Sequence, residues 1–144
     1  MINAHDKLEQ ILKKRSYSVS SPRQVVFEAL QNMEPQSMRE LLAACQPKID
    51  RATLYRTINL FEKLGIVQRL QIGWKYKLEL SNAFQEHHHH LSCRQCGQLI
   101  PLPEDDRLEK RLHELADRVG FIPEDHQVEI RGLCKTCQQK KTQA

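Results

Sequence analysis

Two Cys-x-x-Cys pairs, Cys93-Arg94-Gln95-Cys96 and Cys134-Lys135-Thr136-Cys137, carry the most evident chemistry in this sequence. Each pair can present two thiolates to one side of a tetrahedral Zn²⁺, and Gly97 allows the tight turn that follows the second ligand. One pair alone reads equally as a redox motif. Two pairs separated by 37 residues point to structural zinc, with a dithiol switch as the competing chemistry. That separation exceeds a compact ribbon, so the metal would staple the start of a domain to its end. Cys45, the remaining cysteine, follows Leu41, Leu42, Ala43 and Ala44 and reads as core.

Four consecutive histidines, His87 to His90, lead directly into Leu91-Ser92-Cys93. In an extended chain successive side chains point to opposite sides. His87 and His89 would then face one way and His88 and His90 the other, feeding two metal sites if further donors approach from each side. Glu79, Glu109 and His126 are available for this. Taken singly, each reads as a solvated or hydrogen-bonded side chain; the histidine run makes them candidate ligands. Imidazoles with one or two carboxylates accept Zn²⁺, Fe²⁺, Co²⁺ or Ni²⁺, and geometry decides among them.

The elements that must position these donors follow from pattern. The chain of 144 residues suits one ordinary domain or two small ones. Its formal charge of +4 is uninformative until the sequence is divided after Leu80, where 13 Lys/Arg face 8 Asp/Glu before the cut and 9 face 10 after it. The first half suits a polyanion; the second holds four of the five cysteines and most of the histidines. No run approaches a membrane span and the N-terminal stretch is too polar for a signal peptide, so a cytoplasmic protein with no membrane partner is expected.

In the first half, Leu8, Ile11 and Leu12 predict a helix over 6–15, and Ser20-Ser21-Pro22-Arg23 starts a second. Ser37-Met38-Arg39-Glu40 fits a capping box for a third, which ends near Pro47. Asp50 caps a fourth, whose apolar stripe is Leu54, Ile58, Phe61 and Leu64 and whose stop is Gly65. Its polar face carries Arg51, Thr53, Tyr55, Arg56, Thr57 and Asn59. Residues 66–72 and 74–80 alternate as strands about Gly73. Helices followed by a basic hairpin give the plan of a winged helix, in which Arg51, Tyr55 and Arg56 lie at the end of the helix that enters a major groove. Against this stand the plainer readings of a solvated helix face and of Tyr55 as core packing. In the second half, a helix over 104–119 turns Leu108, Leu112, Leu115 and Val119 inward and stops at Gly120, and 126–130 is strand-like. The sequence contains no His-Glu-x-x-His helix, nucleophile elbow or phosphate loop, which argues against an enzyme.

The run from Asp50-Arg51-Ala52-Thr53-Leu54-Tyr55-Arg56-Thr57-Ile58 through Leu64-Gly65-Ile66-Val67, the histidine-to-Cys96-Gly97 segment and Cys134-x-x-Cys137 together resemble the ferric uptake regulator superfamily of bacterial metalloregulators. The resemblance implies an α+β chain, an N-terminal winged helix-turn-helix domain (1–82) plus a C-terminal α/β dimerisation domain (83–144). It also implies a homodimer in which metal favours the form that binds a palindromic double-stranded DNA operator, repressing metal-uptake genes. By the same resemblance Tyr55 and Arg56 match base-reading positions, and Ser20 with Arg23 the start of an earlier helix. Cys93, Cys96, Cys134 and Cys137 match a structural Zn²⁺ site. Glu79, His88 and His90 match an interdomain regulatory site for Zn²⁺ or Fe²⁺, and His87, His89, Glu109 and His126 a further site within the dimerisation domain. Two departures stand out. Glu34-Pro35-Gln36-Ser37 replaces a histidine ligand common in iron-type members, and the unbroken histidine run resembles zinc uptake regulators more than the iron type. A peroxide-sensing iron-dependent repressor and a zinc-stapled interaction module are the alternatives.

Overall fold

The computed structural model describes residues 2–31 and 34–143. It forms two compact units, the first running to Gln85 and the second starting at Glu86.

Four helices open the first unit: α1 (Ala4–Lys14), α2 (Ser21–Leu30), α3 (Met38–Cys45) and α4 (Arg51–Lys63). The Asn3 side chain accepts from the Asp6 amide, so α1 starts slightly before the expected residue 6. The capping box of α3 is complete: Ser37 Oγ accepts from the Glu40 amide at 3.1 Å and Glu40 Oε2 from the Ser37 amide at 2.9 Å. Asp50 Oδ1 accepts from the Thr53 amide at 2.8 Å and so caps α4. At the other end of α4, Gly65 adopts φ +70°, the Gly65 amide donates to Glu62 O and the Ile66 amide to Phe61 O. This Schellman closure satisfies two terminal carbonyls and folds Ile66 back onto Phe61, both fully buried. Leu8, Leu12, Phe27, Leu41, Leu54, Ile58 and Phe61 complete the core, joined by Cys45 as expected.

The hairpin β1 (Val67–Ile72) and β2 (Lys75–Leu80) follows, paired from Val67↔Leu80 to Ile72↔Lys75. Trp74 belongs to the turn and not to the second strand, because an antiparallel hairpin closes over two residues and Gly73 alone cannot supply both. Gln36 bridges to Leu78 through two backbone hydrogen bonds of 2.9 and 2.7 Å, bracing β2 from its outer edge.

In the second unit β3 (His88–Cys93) lies between β4 (Leu99–Pro103), antiparallel to it, and β5 (Glu129–Gly132), parallel to it. The parallel pairing needs a crossover, which α5 (Asp106–Asp117) supplies, and α6 (Lys135–Thr142) closes the chain. Two expectations are corrected here. Leu115 and Val119 are exposed (45% and 79%) instead of inward, because a three-stranded sheet is too small to cover the whole apolar stripe of α5. Residues 126–128 lie outside any strand, since pairing with β3 begins only at Glu129.

Hydrogen bonds from the Thr53 hydroxyl, then from the Thr53 amide, hold the Asp50 carboxyl below its ordinary range. A lowered folded pKa adds stability that is whole above the ordinary aspartate value of about 3.9 and is lost as pH falls through the folded value. Asp50→Ala is therefore expected to melt below the parent at neutral pH, with the difference in Tm shrinking as pH drops below about 3.9. Thermal melts of both proteins across that range check it.

Candidate metal centres and nucleic-acid interface

Four cysteine sulfurs converge at one end of the second unit. Cys93 closes β3, Cys96 stands in the turn after it, Cys134 caps α6 through its sulfur and Cys137 lies one turn into that helix. The four Sγ atoms lie within 4.8 Å of one another, and all are free thiols. Cys96 Sγ and Cys134 Sγ are 3.8 Å apart. A disulfide requires about 2.05 Å. A tetrahedron with Zn–S arms of about 2.3 Å has edges of about 3.8 Å, which is the separation seen. Backbone amides of the knuckles, Cys134 first and then Cys96, pull the Cys93 thiol down to about 6. The hydrogen-bonded Cys134 sulfur, then burial, push Cys137 up to about 12. The amides favour a first thiolate, and crowding of sulfurs resists the last one until a cation compensates.

The second cage is built around Glu109 on α5. His89 Nε2 is 2.6 Å from Glu109 Oε1, His126 Nε2 is 2.6 Å from Oε2, and His87 Nε2 is 3.3 Å from Oε1 and 3.1 Å from His126 Nε2. Donors on a tetrahedral ion with arms of about 2.0–2.1 Å stand about 3.3 Å apart, so these four residues fit one divalent cation with little movement. Burial opposes charge on Glu109, but the hydrogen bond from His89 and the nearby His126, His87 and His89 more than reverse this and lower its pKa. His89 Nδ1 is buried with no hydrogen-bond partner among the described residues. Leaving such a nitrogen unsatisfied costs about 1–3 kcal/mol, which marks a ring fixed for what its Nε2 does.

Strand alternation is visible in the rings themselves. His87 and His89 sit edge to face at 4.6 Å, and His88 and His90 at 4.7 Å. His88 Nδ1 is 2.9 Å from the Glu86 carbonyl, which places the proton on Nδ1 and the lone pair on Nε2. Glu79, on β2 of the first unit, is buried and accepts from Gln68 Nε2 at 2.6 Å, its partner in the hairpin register. Sequence reasoning passed over Gln68, although a register fixed by the Gly73-Trp74 turn sets it opposite Glu79. It also passed over His113, one helical turn beyond Glu109, whose ring lies 6.3 Å from that of His126.

On α4 the apolar stripe is buried while Arg51, Tyr55 and Arg56 are exposed, Tyr55 at 42%. The core-packing reading of Tyr55 is thereby removed. Arg56 Nη2 donates to Thr53 Oγ1 at 3.3 Å, which holds the guanidinium near the start of the helix. Ser20 precedes α2 without a side-chain capping bond, and Arg23 donates to the carbonyl and hydroxyl of Ser18 and lies over the Tyr17 ring.

Residues 14–131 match the ferric uptake regulator family. The chain belongs to this family. Similar to it is the ferric uptake regulation protein of Vibrio cholerae, 37% identical over 131 residues that span 87% of this chain and 85% of that one. Among solved structures, the ferric uptake regulator of Vibrio cholerae, described with DNA-binding domains, superposes with a TM-score of 0.71 and 34% identity, covering 88% of this chain and 99% of that one. The regulator of Helicobacter pylori, described with three functional metal binding sites, superposes with a TM-score of 0.77 and 25% identity over 93% and 91% of the two chains. Within the segment that departs from the family pattern, Gln36 has a structural role. Gln36 Nε2 donates to the Ala29 carbonyl at 2.8 Å while the Gln36 backbone bridges to Leu78.

Removing one sulfur tests the first cage. Cys96→Ser is expected to lose one zinc equivalent per chain and to lower the melting temperature of the second unit, as chelation of the parent protein should also do. Colorimetric zinc release and thermal melts check this; unchanged zinc content would refute the four-sulfur assignment.

Proposed function

We propose that the chain is a metal-dependent DNA-binding transcriptional repressor of metal-uptake genes, acting in the cytoplasm as a homodimer on a palindromic operator. The observation that carries this reading is one short chain holding both a capped helix with Tyr55 and Arg56 exposed and clustered metal donors. Among the described residues no helix is long and apolar enough to cross a membrane.

The recognition role falls to the first turns of α4. Arg51 and Arg56 supply donors for guanine edges or phosphates, and the Tyr55 ring edge can pack on a thymine methyl. The Cys93, Cys96, Cys134 and Cys137 set is assigned to structural zinc, and His87, His89, Glu109 and His126 to a second ion. For the regulatory set we propose Glu79, His88 and His90. Gln68 orients the Glu79 carboxylate, and the Glu86 carbonyl fixes the His88 tautomer that presents Nε2. Bound Zn²⁺ or Fe²⁺ would supply the cation that these three donors share. Regulation then needs only a higher metal affinity in the DNA-binding arrangement than in the other, a coupling free energy between two sites. Two copies grip a palindrome only when their recognition helices match the half-site spacing.

Pairing of copies is supported by the second unit, which exposes Leu115, Val119, Phe121, Ile122 and Ile130. Four of these lie within eight residues of the chain, and exposed apolar side chains so close together suit an interface.

Binding to a duplex selected from a random-sequence pool, titrated at buffered free Zn²⁺, Fe²⁺ and Mn²⁺, tests the switch. Affinity is expected to rise with one of these metals, and equal affinity in metal-free and metal-loaded protein would overturn it. Arg56→Ala should weaken the same complex by about 1–3 kcal/mol with zinc content and melting temperature unchanged. Val119→Asp is expected to convert a dimer to a monomer in sedimentation velocity and to lose palindrome binding while a single α4 still folds.

A further inference from the structure

Trp74 is 101% exposed, more than any other large apolar side chain among the described residues. Nothing in the hairpin requires an indole there. Gly73 takes φ +60° and Trp74 does not have positive φ, the pattern of a type II′ turn, whose second position has no need of an aromatic. Gln71 Nε2 braces the turn from beside it by donating to Gly73 O at 2.9 Å.

The surroundings of the ring state what it suits. Between Lys63 and Leu78 the sequence has no acidic residue, while Arg69, Lys75 and Lys77 are basic. Arg69 is drawn back to Glu62 at 2.8 Å and stacked on Tyr76 at 4.0 Å, and Lys77 lies 3.8 Å from Glu40. Lys75, beside the indole, is exposed with no ion pair to an acidic group among the described residues. A bare aromatic ring next to an unpaired cation on a basic ribbon is complementary to nucleic acid, which offers phosphates and π faces together.

Reach and width select the groove. Leu78 is the last hairpin residue held by Gln36, and Trp74 stands four residues beyond it, about 13 Å at the rise of a strand. The minor groove is about 6 Å wide, too narrow for a two-stranded ribbon and wide enough for one planar ring. We propose that Trp74 is a DNA-contacting, specificity-determining residue: with α4 in the major groove, its indole enters the flanking minor groove as an apolar wedge and Lys75 meets the adjacent phosphate. This rests on the DNA-binding reading given above. A wedge partly unstacks a base step, so it reads deformability and favours TA and CA/TG steps outside the pairs that α4 contacts.

The sequence contains a single tryptophan, so its fluorescence reports on this ring alone. The full metal-loaded chain is titrated with a labelled duplex selected from a random-sequence pool, with binding read from the label's anisotropy. Quenched indole emission and lost acrylamide accessibility in the complex are expected. Trp74→Ala should weaken binding about tenfold, the low end of what one stacked base is worth, with circular dichroism, zinc content and metal response unchanged. Trp74→Phe should recover part of the loss, and pools selected by Trp74→Ala should lose their flanking TA and CA/TG enrichment. Normal anisotropy with unaltered emission and accessibility, or full affinity in Trp74→Ala, overturns the wedge and leaves the repressor reading standing. Failure of the parent protein to bind any selected duplex with any metal sinks both. Emission that shifts with phosphatidylserine vesicles but not with the duplex overturns the proposal in favour of a membrane contact.

Discussion

Along β3 the two-residue period of an extended chain sets the sides to which His88, His89, His90 and Cys93 point, and the remaining donors of the second unit gather around them. His89 and Cys93 fall on one side of the strand and His88 and His90 on the other, as the paired rings report. The strand is held at both edges, antiparallel to β4 from His88↔Pro103 and parallel to β5 from His90↔Glu129. A slip of one residue would exchange the two faces and scatter both donor sets. The same strand feeds the cysteine cage, because the Cys93 amide donates to Gln98 O and the Arg94 amide to Gly132 O, fixing the first knuckle beside the strand that leads to the second.

The two units stand on different physics. In the first, helices bury a continuous apolar core through ordinary amphipathic faces, and caps at Ser37, Asp50 and Gly65 set their limits. The buried residues of the second, among those described, are His89, His90, Ser92, Cys93 and Cys137. Units of fewer than about 70–80 residues seldom gain enough from apolar burial alone and draw on metals or association instead. Candidate metal donors therefore occupy positions that leucine and isoleucine fill elsewhere, while Leu115, Val119, Phe121 and Ile122 remain outside. Glu109 on α5 and His89 on β3 hold each other at 2.6 Å inside this unit, so a substitution at either is expected to lower its stability.

Much of the first unit was legible because its signals are local. Capping residues, a 3.6-residue stripe and a stop glycine act within one turn of helix, and the structure keeps Ser37, Asp50 and Gly65 in those roles. In the second unit, Cys-x-x-Cys spacing and the histidine alternation were readable, and the convergence of His87, His89, Glu109 and His126 agrees with the family resemblance. What sequence did not disclose depends on partners distant along the chain. β4 and α6 have no strong periodicity and exist because β3 and the cysteine knuckles recruit them. Leu115 and Val119 have helical spacing that says one face is apolar, but nothing in spacing says that the sheet beneath is too short to cover it. Alternation alone extends the second strand to Trp74, but the turn between Ile72 and Lys75 must contain two residues.

The wing and the recognition helix form one mechanical piece. The Schellman closure at Gly65 fixes the exit direction of the chain from α4, and Ser81 Oγ donates back to the Gly65 carbonyl at 2.7 Å. Arg69 then ties β1 to Glu62 on α4, while Gln36 holds β2 at Leu78. Three contacts tie α4 and its closing turn to the chain of the hairpin, and Gln36 braces β2 separately, which together limit the distance from Arg56 to Trp74. On the proposed reading a regulatory signal acts through the spacing between the recognition helices of two copies. Such a division of labour, with rigid readers and adjustable separation, requires that the donors controlling separation be distinct from those that hold the second unit together. On that reading the alternation from His87 through β3 provides the distinction, His87 and His89 turning to the second ion while His88 and His90 remain for the switch.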